Sequence, residues 1–301
     1  MELFVATDFS EHSRAAVKWG AHLAEQLGCS LTVGHVVDLA GDDHLWSSLL
    51  KGPEELRETS EENARQQLEE FYAEHVDGGP QEVEYFTAHG RPQEVLGDVV
   101  KQREDVVLVI GSRGRTDNHD IPFGNTARRL VRSSPGPVIL VPPEAALEPL
   151  DQIVVGADAS APSREAIRRA AWIAKAADSK VTAVYGYETP DTLAMARVMA
   201  AQGMEVEELV DQKRAEILEI IDNADAAEVV TDIETIENPA EQAIVEAASD
   251  LEAALIVVGT HGREGVKRFL LGNTAERVIR RSQCPVLVTP ADEDDVEEQQ
   301  E

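Results

Sequence analysis

Two glycine-spaced segments carry the residues best suited to chemistry. Gly111, Gly114 and Gly124 run into Asn125-Thr126-Ala127, and Gly259, Gly262 and Gly272 run into Asn273-Thr274-Ala275, so both read G-x2-G-x9-G-N-T-A. Each follows an apolar run, Val106 to Ile110 or Leu255 to Val258. A loop that leaves a strand and enters a helix offers backbone N–H groups and a helix N-terminus, which together suit an anion. Glycine removes the side chain that would hold phosphate oxygens away from the backbone. Asp8 and Asp158 close two further apolar runs, Leu3 to Thr7 and Ile153 to Ala157. A carboxylate at a neighbouring strand end can accept hydrogen bonds from ribose hydroxyls. The expected ligand is therefore a nucleotide, with its sugar beside Asp and its phosphates at the loop. The competing reading is that the glycines only make tight turns. Neither segment is a Walker A sequence or a dinucleotide G-x-G-x2-G.

The elements that must position these residues repeat. The glycine segments lie 148 residues apart, 259 less 111, and the runs Pro137 to Val141 and Pro285 to Val288 follow at the same offset. Two copies of one domain are expected, over 1–145 and 150–290, with Pro142-Pro143 and Pro149 marking the boundary. Residues 291–301 are nearly all Asp, Glu and Gln, too polar to bury anything, and read as an acidic disordered tail. Short apolar strands alternate with helical stretches, which is the pattern of a parallel sheet with crossover helices. In copy one, strands are expected near 3–8, 30–37, 82–88, 105–111 and 137–142, with helices near 13–27, 54–76, 92–103 and 125–134. In copy two, strands are expected near 152–158, 180–187, 228–236, 254–260 and 285–289, with helices near 162–177, 203–224, 239–250 and 274–282. In such a sheet a ligand settles at the carboxyl ends of the strands, where the strand order reverses.

Composition limits the partners. The 57 acidic and 27 basic side chains leave a net charge of −30, which repels nucleic acid and anionic membranes. A salt-rich cytoplasm of halophile type would screen that self-repulsion. Apolar residues form 43% of the chain and aromatics 4%, so the core must be Val, Ile, Leu and Ala, as buried parallel strands require. Cys29 and Cys284 stand far apart and suggest neither a disulfide framework nor a zinc site. No signal segment or apolar run of membrane length is evident, and the expected location is cytoplasmic.

At these residues the chain resembles the universal stress proteins, whose nucleotide-binding members carry G-x2-G-x9-G followed by Ser or Thr. The resemblance covers residues 2 to 142 and 151 to 290. In copy two it rests on Gly259-Thr260-His261-Gly262-Arg263, Leu270-Leu271-Gly272 and Cys284-Pro285-Val286, and in copy one on Thr7-Asp8-Phe9-Ser10 and His35-Val36. It implies an α/β fold of two tandem Rossmann-like domains, of the adenine nucleotide alpha hydrolase type. Each would be an open five-stranded parallel sheet flanked by helices. It implies that Asp8 with Gly111, and Asp158 with Gly259, meet ribose, and that the backbone at Val36 and Gly186 meets adenine. Phosphates would meet Gly114, Gly124, Asn125 and Thr126 in one copy and Gly262, Gly272, Asn273 and Thr274 in the other. The implied ligand is ATP or AMP, with Mg as an optional companion. The two domains would pair as an intrachain pseudo-dimer open to further homo-oligomer formation, and an unknown protein partner would read the nucleotide state.

The resemblance has departures. Asn125 and Asn273 stand where ATP binders of the family usually carry Ser or Thr, although Asn still caps a helix and donates through its amide. Asp117 and Asp120 flank the phosphate position of copy one, so copy two is the better expected ATP site. His261 lacks a sequence neighbour to make a proton relay or metal site. Arg263, Lys267, Arg268 and Arg277 read equally as anion attractors and as acid-balanced surface. Ser10 and Ser160 read as helix caps, Trp19 and Trp172 as core, and Cys29 and Cys284 as small packing residues. A nucleotide-binding regulatory protein of the stress response leads, with no catalytic residue required. The alternatives are a slow ATP hydrolase or phosphotransferase, which needs a base or water-positioning group, and a ligand-free interaction scaffold.

Overall fold

The protein is described by a computed structural model over residues 1–38, 53–103, 105–114, 123–188, 206–260 and 271–290. The expected sites at Gly262, His261, Arg263, Lys267, Arg268, Asp117 and Asp120, and the acidic tail, lie outside the described residues. The chain divides into two compact units, one built on Met1–Glu148 and one on Pro149–Ser282 with the strand from Val286.

Unit 1 contains β1 (Glu2–Ala6), α1 (Glu11–Leu27), β2 (Ser30–Val37), α2 (Pro53–His75), β3 (Val83–His89), α3 (Pro92–Gln102), β4 (Val106–Gly111), α4 (Asn125–Ser133) and β5 (Val138–Val141). Its strand order is β3-β2-β1-β4-β5, and the ladders of β1 with β2, β1 with β4, β2 with β3 and β4 with β5 are parallel. Unit 2 repeats this with β6 (Gln152–Gly156), α5 (Ala161–Ala177), β7 (Lys180–Tyr187), α6 (Val206–Asn223), β8 (Val230–Glu237), α7 (Ala240–Asp250), β9 (Leu255–Gly259), α8 (Asn273–Arg281) and β10 (Val286–Thr289). Its order is β10-β9-β6-β7-β8, also through parallel ladders. Each unit is thus a Rossmann-like α/β sheet flanked by helices.

Sequence sets these elements locally. The central strands are β-branched or Leu and buried on both faces, as in Val106 to Ile110 and Leu255 to Val258, which is what helices on both sides of a parallel sheet demand. Helix α1 begins where the Ser10 hydroxyl accepts the Ser13 N–H at 3.1 Å, and α5 repeats this with Ser160 and Ser163 at 3.4 Å. Such caps contribute about 1 kcal/mol each. Gly28 ends α1 in the left-handed region at φ 60° and donates back to Ala24 and Glu25. At the matching turn of α5 the left-handed residue is Asp178, at φ 55°.

Two sequence expectations change. The strands expected to run to Asp8 and Asp158 end at Ala6 and Gly156, because each chain turns into its cap two residues early. Trp19 is buried at 3% exposure, but Trp172 is 43% exposed. From Ser10 to Ser160 the first helices are offset by 150 residues, so Trp19 matches Arg169 and Trp172 matches His22. Trp172 therefore stands at a position whose unit 1 counterpart, His22, is only half-buried, whereas Trp19 lies in the core.

Candidate nucleotide crevice

Strands β1 and β4 are hydrogen-bonded neighbours in register Val5 to Val109, and β6 and β9 in register Val155 to Val257. Strand order reverses at this pair, since β1 continues to β2 on one side while β4 continues to β5 on the other. The loops after β1 and β4 therefore leave the same end of adjacent strands and frame the switch-point crevice. Both Asp residues and both glycine segments leave the sheet here.

After β1, the Thr7 N–H donates to the Gly34 carbonyl at 2.9 Å, and after β6 the Ala157 N–H donates to Val184 at 2.9 Å. The next residues but one, Phe9 and Ala159, are left-handed at φ 61° and 62°. This turn lets the Asp carboxylate fold back onto the coming helix. Asp8 Oδ1 accepts the Ser10 N–H at 3.1 Å. Asp158 Oδ1 accepts the Ser160 N–H at 3.0 Å and the Ser160 hydroxyl at 2.5 Å. These bonds orient the two carboxylates, and an ionised carboxylate has about four acceptor positions in all. Residues Ser13 and Ser163 complete the turns: Ser13 Oγ lies 2.8 Å from Thr7 Oγ1, and Ser163 Oγ accepts the Asp158 N–H at 3.1 Å. Their roles were not singled out from sequence, although they recur at the same offset of 150 as the caps, 163 less 13.

The glycine segments are anchored in the same way in both units. The Ser112 N–H donates to Val141 at 2.9 Å and the Gly124 N–H returns to the Ser112 carbonyl at 2.8 Å. In unit 2, Thr260 donates to Thr289 at 2.8 Å and Gly272 to Thr260 at 2.6 Å. Each pair of bonds pins a helix N-terminus to the end of the central strand. Gly124 and Gly272 are the N-caps of α4 and α8, with ordinary extended backbone at φ −66° and −64°. Glycine is therefore not needed there for a left-handed turn. What it supplies is a cap without a side chain, and neither helix has a side-chain cap bond. The first-turn N–H groups, those of Asn125, Thr126 and Ala127 or of Asn273, Thr274 and Ala275, keep their capacity for an external anion. Asn125, Thr126 and Asn273 are exposed and Thr274 is half-buried. No acid occupies the first turn of α4, and Glu276 in that of α8 is paired with Arg280 at 2.8 Å. Gly114 lies at the last described position before this loop.

The other expected residues have strong packing reasons. A Cβ on Gly259 would lie 2.5 Å from Pro162 Cβ and 2.7 Å from the Pro162 carbonyl, so the strand end needs glycine to meet α5. A Cβ on Gly111 would stand 3.0 Å from the Arg113 carbonyl oxygen and 3.1 Å from that of His12. Gly186 faces the start of α7, where a Cβ would lie 2.6 Å from Ala240 Cα. Val36, its counterpart near the end of β2, is buried. Arg277 pairs with the buried Glu241 at 3.0 Å, which makes it acid-balanced surface. Both cysteines are free and half-buried, and burial raises the Cys29 thiol pKa. Among the described residues, no group of three or more His, Cys, Asp or Glu is placed to hold a metal ion, and no helix is long and apolar enough to cross a membrane.

Comparison with known proteins matches this arrangement. The family model described as the universal stress protein family matches twice, over residues 2–142 and 149–290. A universal stress protein of Methanocaldococcus jannaschii is 37% identical over 139 residues, covering 46% of this chain and 80% of that protein. One from Synechocystis is 24% identical over 306 residues, covering 95% and 98%. The crystal structure of a universal stress protein from Archaeoglobus fulgidus shares the fold at a TM-score of 0.62 and 20% identity, covering 97% and 98%. With both units matched along nearly their whole length, the chain belongs to the universal stress protein family as a tandem repeat of its domain.

Proposed function

We propose that the chain is a regulatory protein of the stress response that binds an adenine nucleotide, ATP or AMP, in the crevice of unit 2. The observation that carries this reading is the pairing, at adjacent strand ends, of the oriented Asp158 carboxylate with the side-chain-free N-terminus of α8. A carboxylate suits the ribose hydroxyls, and a helix N-terminus suits phosphate through its dipole and its N–H groups. Gly259 and Gly186 would line the ribose and adenine positions, and Gly272, Asn273 and Thr274 the phosphates. Unit 1 presents Asp8, Val36, Gly111, Gly114, Gly124, Asn125 and Thr126 in the same places. Any Mg would arrive with the phosphates of ATP. Occupancy, rather than turnover, is the signal, and the setting is the cytoplasm, where both free cysteines stay reduced.

The test is calorimetric titration of ATP and AMP into nucleotide-stripped protein at high salt, beside Gly272→Val and Gly124→Val. Binding that is lost with Gly272→Val and kept with Gly124→Val supports the reading. No heat and no thermal shift with either nucleotide would overturn it in favour of a scaffold without a ligand.

A further inference from the structure

The two units differ beside their Asp turns. In unit 1 the left-handed residue after Asp8 is Phe9, whose ring lies 4.4 Å from that of His35 and 5.5 Å from that of Phe71 on α2. His75 stacks on Phe71 at 4.6 Å. Aromatic rings thus fill the space between the turn and the second helix. In unit 2 the same backbone position is Ala159, which lines an open cleft of about 450 Å³. One wall is Ala159 with Arg164 and Arg168 of α5, and the other includes Glu216, Glu219 and Ile220 of α6. Neither Asp158 nor any described glycine-segment residue lines it.

The charges around this cleft are distributed unevenly. Arg168 is held by Glu165 at 3.0 Å, and Glu216 by the buried Lys213. Arg164 and Glu219 have no ion-pair partner among the described residues. One wall therefore offers an uncommitted guanidinium and the other an uncommitted carboxylate, with Ala159 and Ile220 as apolar surface between. A polyanion would meet the two glutamates, and a polycation the two arginines. The volume is within the ordinary range for small-ligand pockets of roughly 300 to 1,000 Å³.

We propose that this cleft is a second ligand site, taking a small zwitterion of the α-amino acid class, with its carboxylate on Arg164 and its ammonium group toward Glu219. Guanidinium and carboxylate form a two-pronged charge-assisted bond, which gives the site orientation. In unit 1 the matching turn position carries the ring of Phe9, packed on His35 and Phe71.

The experiment is calorimetric titration of L-leucine and L-glutamine into the full chain, up to about 10 mM, a range that detects millimolar affinity. The single-charge analogues 4-methylpentanoate and 3-methylbutylamine are run alongside. At least one amino acid is expected to bind, and the leucine analogues about tenfold or more weakly than leucine if leucine is the ligand. Ala159→Phe should abolish binding. The substitution copies what unit 1 tolerates at φ 61°, and circular dichroism checks that the fold is kept. Arg164→Gln should weaken binding about tenfold or more without closing the cleft. No heat from either amino acid, or undiminished binding by a folded Ala159→Phe or by Arg164→Gln, would overturn the proposal.

Discussion

Gly259→Ala and Gly111→Ala are the same substitution at matching strand ends, yet the structure assigns them different effects. Neither glycine has a left-handed φ, so alanine is allowed by the backbone and reduces the freedom of the unfolded chain, worth roughly 0.4–1 kcal/mol in its favour. At Gly259 the new Cβ would meet Pro162 at 2.5 Å and its backbone at 2.7 Å. Pro162 lies in the first turn of α5, so relief requires the helix start, with its Ser160 cap, to move away from β9. Overpacking of this kind costs about 1–3 kcal/mol, and backbone contact places it in the upper part of that range. The net loss is roughly 1–2.5 kcal/mol. At Gly111 the nearest atoms stand at 3.0 and 3.1 Å, so a few tenths of an ångström suffice and the two terms nearly cancel. Urea unfolding at fixed KCl, followed by circular dichroism and resolved by unit through hydrogen exchange, reads both changes. Equal costs at the two positions, or a neutral Gly259→Ala, would refute the reasoning.

Other outcomes follow from particular residues. Burial, then Tyr85 and Glu25, pushes the Tyr72 hydroxyl from its ordinary 10 up to about 12. The folded state therefore holds that proton longer than the unfolded state, and this contribution is full below pH 10 and lost as pH rises through 12. Burial, then Glu69, also raises Tyr85, so absorbance titration should show late tyrosines of which Tyr72→Phe removes one. Tyr72 Oη also has no hydrogen-bond partner among the described residues, so Tyr72→Phe should be neutral or stabilising by up to about 1 kcal/mol at pH 7, read by urea unfolding. Asp178→Gly puts glycine at a φ of 55°, as Gly28 does in unit 1, and should raise stability by roughly 0.5–1 kcal/mol in the same assay. With a net charge of −30, the thermal midpoint should climb between about 0.1 and 2 M KCl as screening shortens the reach of self-repulsion. A midpoint that falls with KCl would contradict this.

Much of the fold was legible because buried parallel strands leave continuous apolar runs, and Val106 to Ile110 and Leu255 to Val258 are such runs. The repeat then fixed which loops were equivalent. Strand ends at Ala6 and Gly156 were hidden, because the left-handed turns at Phe9 and Ala159 occur in residues with no preference for that conformation. Trp172 was misplaced for want of the correct offset within the first helices. The closeness of Gly259 to Pro162 and of Gly186 to Ala240 depends on tertiary packing across the chain, which spacing alone does not encode. The same holds for the ring cluster of Phe9, His35, Phe71 and His75, whose members are scattered over α1's approach, β2 and α2.

The most direct measurement of the central claim is the difference density of crystals grown with ATP. The account predicts a nucleotide in unit 2 with a ribose hydroxyl within hydrogen-bond reach of the Asp158 carboxylate and phosphate oxygens at the N–H groups of Asn273 and Thr274. A nucleotide bound away from the ends of β6 and β9, or none at saturating ATP, would contradict it.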